Sequence, residues 1–493
     1  MEKMYEKASN DIRGLYRGYA DGSISDGELF EKINSLSREQ IDLIVNSKSD
    51  YPKDGTLYYI SNNGDDNNDG KSPETAWRTL AKLKDEAVIS SLKKGDAVLL
   101  ERGSIFRGDI VCQSGITYSA YGKGPKPVIS GSDRNYADPS LWIETEIPNV
   151  YKLTLPIYNV GVAVFNDTAK LGNYNELVGA LKVVGVDDFT GYKDLTDDLT
   201  FASDLYTKEF YLYSKDGNPG ERFDSIELGW YHHLVMFADV EDIVIDNLHI
   251  RHTGGHGYTG GNFRNVTVRN CIADYLGGSI LHGYGPVNIV RVGNSLQDYG
   301  WCDGWYCYNN WCYQIYDTGV THQYNAPYDK QDCFMDNVEY RGNVFEYCHW
   351  AIEWYNYDYE PKQQHFYDTY IADNYCIMSG YGWGSRHRPA GAAAMVSWGL
   401  TKNTKNFVAE NNVYDRSLGD IFLLEGRGNM ALQHKDNIYV QNDGGCLGHI
   451  YDEVYTYDKN IKETIKDVLL DTTGVCAFNE DKKIESYLPE EKY

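Results

Sequence analysis

Residues 338–355 read VEYRGNVFEYCHWAIEWY, and the same order of parts returns along the chain. A short run of β-branched or aromatic residues leads to Asn343. A second run follows, and a turn then opens onto a third. Before it come DIVIDNLHIRHTGGHG (242–257), NVTVRNCIADYLGGSI (265–280) and NNWCYQIYDTGVTHQ (309–323). After it come TYIADNYCIMSGYGWG (369–384), FVAENNVYDRSLGDIFLL (407–424) and LQHKDNIYVQNDGG (432–445). Asn247, Asn270, Asn310, Asn343, Asn374, Asn412 and Asn437 mark the repeat, at spacings of 23, 40, 33, 31, 38 and 25 residues. Strand units recurring every ~20–50 residues indicate stacking, with extra length emerging as loops. The longest interval leaves room for an extra coil around Val292, Gly293 and Asn294. Stacked strands lie about 4.8 Å apart, so an asparagine at one bend can bond its counterparts above and below. Cys271, Cys312 and Cys376 follow their asparagines closely and suit a small apolar residue in an interior stack. A sandwich or propeller would show paired Asn-Gly hairpin signals, which are scarce here. The expected fold is all-β: a right-handed, single-stranded parallel β-helix with a small N-terminal helical segment.

The 493 residues exceed what one ordinary core supports, which fits a domain that grows by stacking. Apolar residues at three-to-four spacing predict a helical hairpin over residues 1–50, with Ser25 or Asp26 capping its second helix. The β-helix is expected over 51–442, with 133–225 as early coils carrying an insertion. A cap and tail are expected over 443–493. Within Asn62–Asp69, NNGDDNND offers oxygen ligands for calcium, but a solvated turn is the simpler reading. No cofactor is expected. Ser72-Pro73-Glu74-Thr75 has the form of a helix start.

The formal net charge of −26 argues against nucleic acid and against polyanionic glycans. No run approaches about 18 apolar residues, so no membrane span is expected. The charged start MEKMYEKASNDIRG lacks the apolar stretch of a leader. A cytoplasmic monomer follows as the expectation, or an extracellular one if a leader precedes this sequence. The ten cysteines fit no common zinc spacing, so buried free thiols are expected.

Leu57–Ser132 carries a tyrosine strand, an Asn/Asp/Gly loop, Gly95-Asp96, Val98-Leu99-Leu100, Arg102-Gly103, Phe106-Arg107-Gly108, Tyr121-Gly122 and Pro127-Val128-Ile129-Ser130-Gly131. This stretch resembles the opening of bacterial right-handed β-helix enzymes of the pectin-lyase-like superfamily. So do CDGWYCYNNWCYQIYDTGVTHQ (302–323) and FEYCHWAIEWY (345–355). The resemblance implies a carbohydrate substrate and, in its glycoside-hydrolase branches, action on galactosides, xylosides, fucosides or lacto-N-biose units.

Glycoside hydrolysis needs two carboxyl groups flanking the scissile bond, and neighbouring coils can supply them. Asp317 sits at a turn before a strand. Glu353 lies on the corresponding strand one coil later, and between Ile352 and Trp354 it should point outward. Apolar surroundings would raise its pKa, as a general acid requires. Asp303 and Glu425 complete the catalytic candidates. The aromatic insertions and nearby polar groups supply the substrate-binding candidates: His322, His349, Trp305, Tyr306, Trp354, Tyr355, Trp383, Arg386 and His387. The leading reading is a glycoside hydrolase acting on a neutral oligo- or polysaccharide. The alternatives are a polysaccharide lyase for a uronic-acid polymer and a non-catalytic glycan-binding β-helix.

Overall fold

The computed structural model describes residues 5–167, 177–282, 289–324, 333–356, 364–386, 388, 391–399, 402–426 and 431–479. The chain is a right-handed parallel β-helix whose coils each give one strand to each of three sheets. The first sheet runs through Leu296–Tyr299, Thr318–Tyr324, Trp350–Asn356, Ala393–Gly399, Asp420–Leu424 and Cys446–Ile450. The second includes Phe263–Arg269, Cys302–Tyr308, Cys333–Arg341 and Gln364–Ala372. The third includes Ile272–Leu276, Trp311–Ile315, Val344–Glu346, Tyr375–Ser379 and Val413–Ser417. Ladder pairing is parallel and in register, so one residue per coil is repeated along each column. Inward columns fill the core with Val320, Ile352 and Met395, or with Cys312, Phe345, Cys376 and Tyr414. Cys112, Cys271, Cys302, Cys307, Cys312, Cys348, Cys376 and Cys476 are buried free thiols; Cys446 is free and half-buried.

The bend between the second and third sheets explains the asparagine repeat. Asn310, Asn343, Asn374, Asn412 and Asn437 are fully in line. Each Oδ1 accepts from the backbone N–H of the preceding coil at 2.9–3.1 Å. Their side chains also bond one another at 3.0–3.2 Å. Asn247 and Asn270 belong to a different column, one residue earlier. There Asn309, Gly342, Asp373, Asn411 and Asp436 share their positive φ. Two asparagine columns run side by side: one ladders, and the other tolerates the left-handed backbone of the bend. Replacing Asn343 by Ala strands the Asn310 N–H and the Cys307 carbonyl, which its side chain now satisfies. A loss of about 3 kcal/mol or more is expected from buried groups left unpaired, measured by denaturant unfolding.

Three sequence expectations change. The long interval after Asn270 holds no extra coil. Ile280–His282 and Val290–Arg291 instead form an antiparallel pair that leaves the helix. Residues 133–225 are not early coils either. Between Val128–Ser130 and Val235–Ala238 the chain builds antiparallel strands with their own core of Trp142, Phe165, Phe201, Phe210 and Leu228. The ladder also continues past 442, through Cys446–Ile450 and Val475–Asn479.

Helices α1 (Glu6–Ala20) and α2 (Asp26–Val45) form, and Ser25 caps α2 in a capping box with Glu28. Ile12, Leu15, Leu29, Ile33 and Ile44 pack on Trp311, Val344, Tyr375, Val413 and Ile438. The hairpin thus covers the outer face of the third sheet. The run after Ser72 forms short 3-10 turns and a helix at Glu86–Ser91 rather than one continuous helix. In the 62–69 loop, Asp66 accepts from Arg78 N, Thr79 N and Thr79 Oγ1 at 2.7–3.0 Å, so its oxygens already serve the turn. No helix among the described residues is long and apolar enough to cross a membrane.

Candidate active site

The outer face of the first sheet forms the floor of a cavity of about 710 Å³. Register sets that floor. Thr259, Gln297, Thr321 and Glu353 are partners on successive coils, and Tyr299, Gln323 and Tyr355 form the next outward column. The walls come from segments that leave the helix. The 280–291 excursion supplies Leu281, His282, Val290 and Arg291. The insertion holds that excursion in place: Asn159 Nδ2 donates to Ile280 O at 2.7 Å, and Ile280 N donates to Asn159 Oδ1 at 3.0 Å.

Asp317 and Glu353 both line this cavity. Asp317 ends the turn before Thr318–Tyr324, and its carbonyl accepts from Trp350 N at 3.0 Å. Its Oδ1 accepts from Arg388 Nη1 at 2.6 Å. The Arg388 guanidinium lies over the Trp350 ring, 4.1 Å from its centroid. Glu353 points outward because Ile352 and Trp354 point into the core. Its Oε1 accepts from Trp398 Nε1 at 2.8 Å, and its Oε2 from Thr318 Oγ1 at 3.1 Å.

The two carboxyls have different electrostatic settings. Burial, followed by the negative charge of Asp317, pushes Glu353 up to about 7. Burial also raises Asp317, but Arg388 opposes that rise. The cation therefore favours charge on Asp317, and that charge favours the proton on Glu353. The arrangement can present one acid and one base to a bound molecule near neutral pH.

Two histidines on the wall are fixed in tautomer. His233 Nδ1 accepts from His256 N at 3.0 Å, and His256 Nδ1 accepts from Asn294 N at 3.1 Å. A backbone N–H can only donate, so in both rings the proton resides on Nε2. Burial lowers both pKa values, that of His233 to about 4. Both rings line the cavity as neutral donors.

Of the other candidates, Tyr355 lines the cavity. Trp305, Trp354 and His322 are corrections: all three are inward and buried. His322 Nδ1 pairs with Tyr340 Oη at 2.8 Å, and burial lowers its pKa to about 3. Asp303 and Tyr306 lie on the second sheet, away from this floor; Asn337 Nδ2 bonds Asp303 at 2.7 Å. Glu425 follows the strand Asp420–Leu424, is exposed and does not line the cavity. Trp383 is buried and donates to Gln314 O at 2.7 Å. His349 stands behind the wall, with Nδ1 2.8 Å from Ser385 Oγ. Arg386 lines an adjoining cleft with Arg388 and Tyr316. His387 lies outside the described residues. Sequence reasoning passed over Trp350 and His233, and it did not place Arg388, Trp398 or His256 in this cavity. Arg388 directly follows the candidates Arg386 and His387 in sequence, but its partner Asp317 lies 71 residues away.

The chain matches no described protein-family model. Over 89 residues it is 40% identical to lacto-N-biosidase of Bifidobacterium longum subsp. longum, covering 16% of this chain and 5% of that protein. The chain thus spans only a small part of the length of this curated relative. Among solved structures it resembles XylC in complex with xylose (TM-score 0.43, 12% identity, 82% of this chain and 73% of that one). It also resembles the GH136 lacto-N-biosidase of Eubacterium ramulus (0.35, 12%, 92% and 71%) and pectate lyase Pel9A (0.36, 11%, 82% and 72%).

Proposed function

We propose that the chain is a glycoside hydrolase acting on a neutral oligo- or polysaccharide, with Glu353 as general acid and Asp317 as the second carboxylate. The observation that carries this reading is the pairing of two buried carboxyls on neighbouring coils in one cavity, one beside Arg388 and the other beside Trp398. Glu353 donates its proton to the leaving oxygen. Asp317 stays charged and acts on the sugar carbon, either directly or through water. Tyr299, Tyr355 and Trp350 offer ring faces to a sugar, and His233 and His256 offer Nε2–H donors to its oxygens. The local likeness to a lacto-N-biosidase supports a glycan substrate. The net charge of −26 favours a neutral one.

The test is product analysis on neutral oligosaccharides and uronic-acid polymers. Hydrolysis gives new reducing ends without ultraviolet absorbance. An absorbing unsaturated uronide would mean a lyase, and binding without turnover would mean a glycan-binding module. Either result overturns the proposal.

Arg388→Met provides a second check. Without the guanidinium, Asp317 takes up its proton at higher pH. The acid limb of the kcat/KM profile should therefore move toward neutral pH, and the basic limb set by Glu353 should move up from about 7, because the Arg388 charge also holds that carboxyl down.

A further inference from the structure

We propose that Asp420, Cys446 and His449 form a mononuclear transition-metal site, suited to zinc, on the outer face of the last coils. Sequence spacing hid this cluster, because the strands Asp420–Leu424 and Cys446–Ile450 meet only through coil stacking. Asp420 is the register partner of Cys446, and Leu423 that of His449. Leu447 packs into the core between the two ligands. The carboxylate, thiol and imidazole atoms all lie within 4.8 Å of one another. His449 Nδ1 is 3.0 and 2.9 Å from the two Asp420 oxygens.

The donor set selects the ion. One sulfur, one nitrogen and one oxygen suit zinc, whereas calcium and magnesium take oxygen alone. Three protein ligands leave a position for water. Asp420 is buried, Cys446 is half-buried and His449 is exposed, so an ion can enter from solvent. Binding expels the thiol proton to solvent and leaves Nδ1 of His449 unprotonated to coordinate. The position gives the ion a structural task. Here the parallel stacking of the first sheet ends, and Glu453–Thr456 turns back antiparallel, with a register irregularity between Cys446 and Gly448. A metal joining Asp420 to the Cys446–Ile450 strand would clamp this last coil. Glu353 lies three coil steps from His449 through Val396 and Leu423, about 14 Å at the usual strand spacing, and Asp420 lies two coil steps from the cavity residue Trp350 through Ala393, about 10 Å, with none of the three ligands lining the cavity. The site is thus separate from the cavity and independent of the function proposed for it.

The experiment titrates metal-stripped, reduced full-length protein with Zn²⁺ and with Co²⁺ as a spectroscopic probe. Stoichiometric binding is expected, with a thiolate-to-cobalt charge-transfer band in the near ultraviolet and a Tm that rises with Zn²⁺. Cys446→Ser should abolish the band. His449→Ala should weaken zinc by more than the roughly 10–100-fold lost when an outer partner of a metal ligand is removed. Circular dichroism confirms that each variant folds. Absence of the band in wild type, or zinc affinity unchanged in both folded variants, would overturn the proposal.

Discussion

Glu353→Gln is expected to lower kcat on a neutral glycan by about 10²–10⁴-fold, the usual contribution of a positioned acid. The loss should be smallest on aryl glycosides whose leaving groups need little protonation. The wild-type fall in kcat/KM above about 7, where Glu353 gives up its proton, should vanish in the variant. Stability should move the other way. The folded carboxyl holds its proton up to about 7, whereas the unfolded one releases it near the ordinary 4.5. The Glu353 contribution is therefore fully present below 4.5 and is lost as pH rises through 7, by about 3 kcal/mol. Glutamine cannot ionise, so the variant's Tm should lose that slope and exceed the wild-type value at alkaline pH. Thermal scans across this range check it. A variant that loses activity and stability together at all pH values would point to a packing role.

Asp317→Asn should cost a similar 10²–10⁴-fold, but in a different pattern. The second carboxylate acts on the sugar carbon, so activated leaving groups should not spare the variant. Removing the negative charge should also lower the pKa of Glu353, because Asp317 is the second cause of its elevation. Replacement by an amide leaves Arg388 without its anionic partner. A loss of about 1–3 kcal/mol in stability is therefore expected as well, since a buried charge is left less well satisfied. Kinetics on paired activated and unactivated substrates separate the two carboxyl roles.

The β-helix was legible because its signal is local and repeated. A five-residue asparagine ladder needs one residue type per coil, and that periodicity survives loops of any length. The one-residue offset of Asn247 and Asn270 was not legible, since both columns of the bend use asparagine. The excursion at 280–291 passed for a coil for a related reason: a long interval does not say whether the added residues stack or project.

At the site, alternation along strands decided what could be read. Glu353 was placed outward because Ile352 and Trp354 face inward, and the same rule removes Trp354 from the cavity. Applied one coil earlier, it sends His322 inward beside Val320. Arg388, Trp398 and the His233–His256 pair were out of reach for a different reason. Arg388 and the two histidines meet their partners through turns whose path no periodic pattern specifies, and Trp398 meets Glu353 beside a register irregularity between the strands Trp350–Asn356 and Ala393–Gly399. Asp420 and Cys446 are brought together by coil stacking, which sequence spacing does not display.

The most direct measurement is turnover of a panel of neutral oligosaccharides and aryl glycosides by wild type, Glu353→Gln and Asp317→Asn, with folding verified by circular dichroism. Sugar release by wild type, with each folded variant reduced about 10²-fold or more, is the expected result. Turnover that persists unchanged in both folded variants would contradict the assignment of this carboxyl pair as the reacting groups.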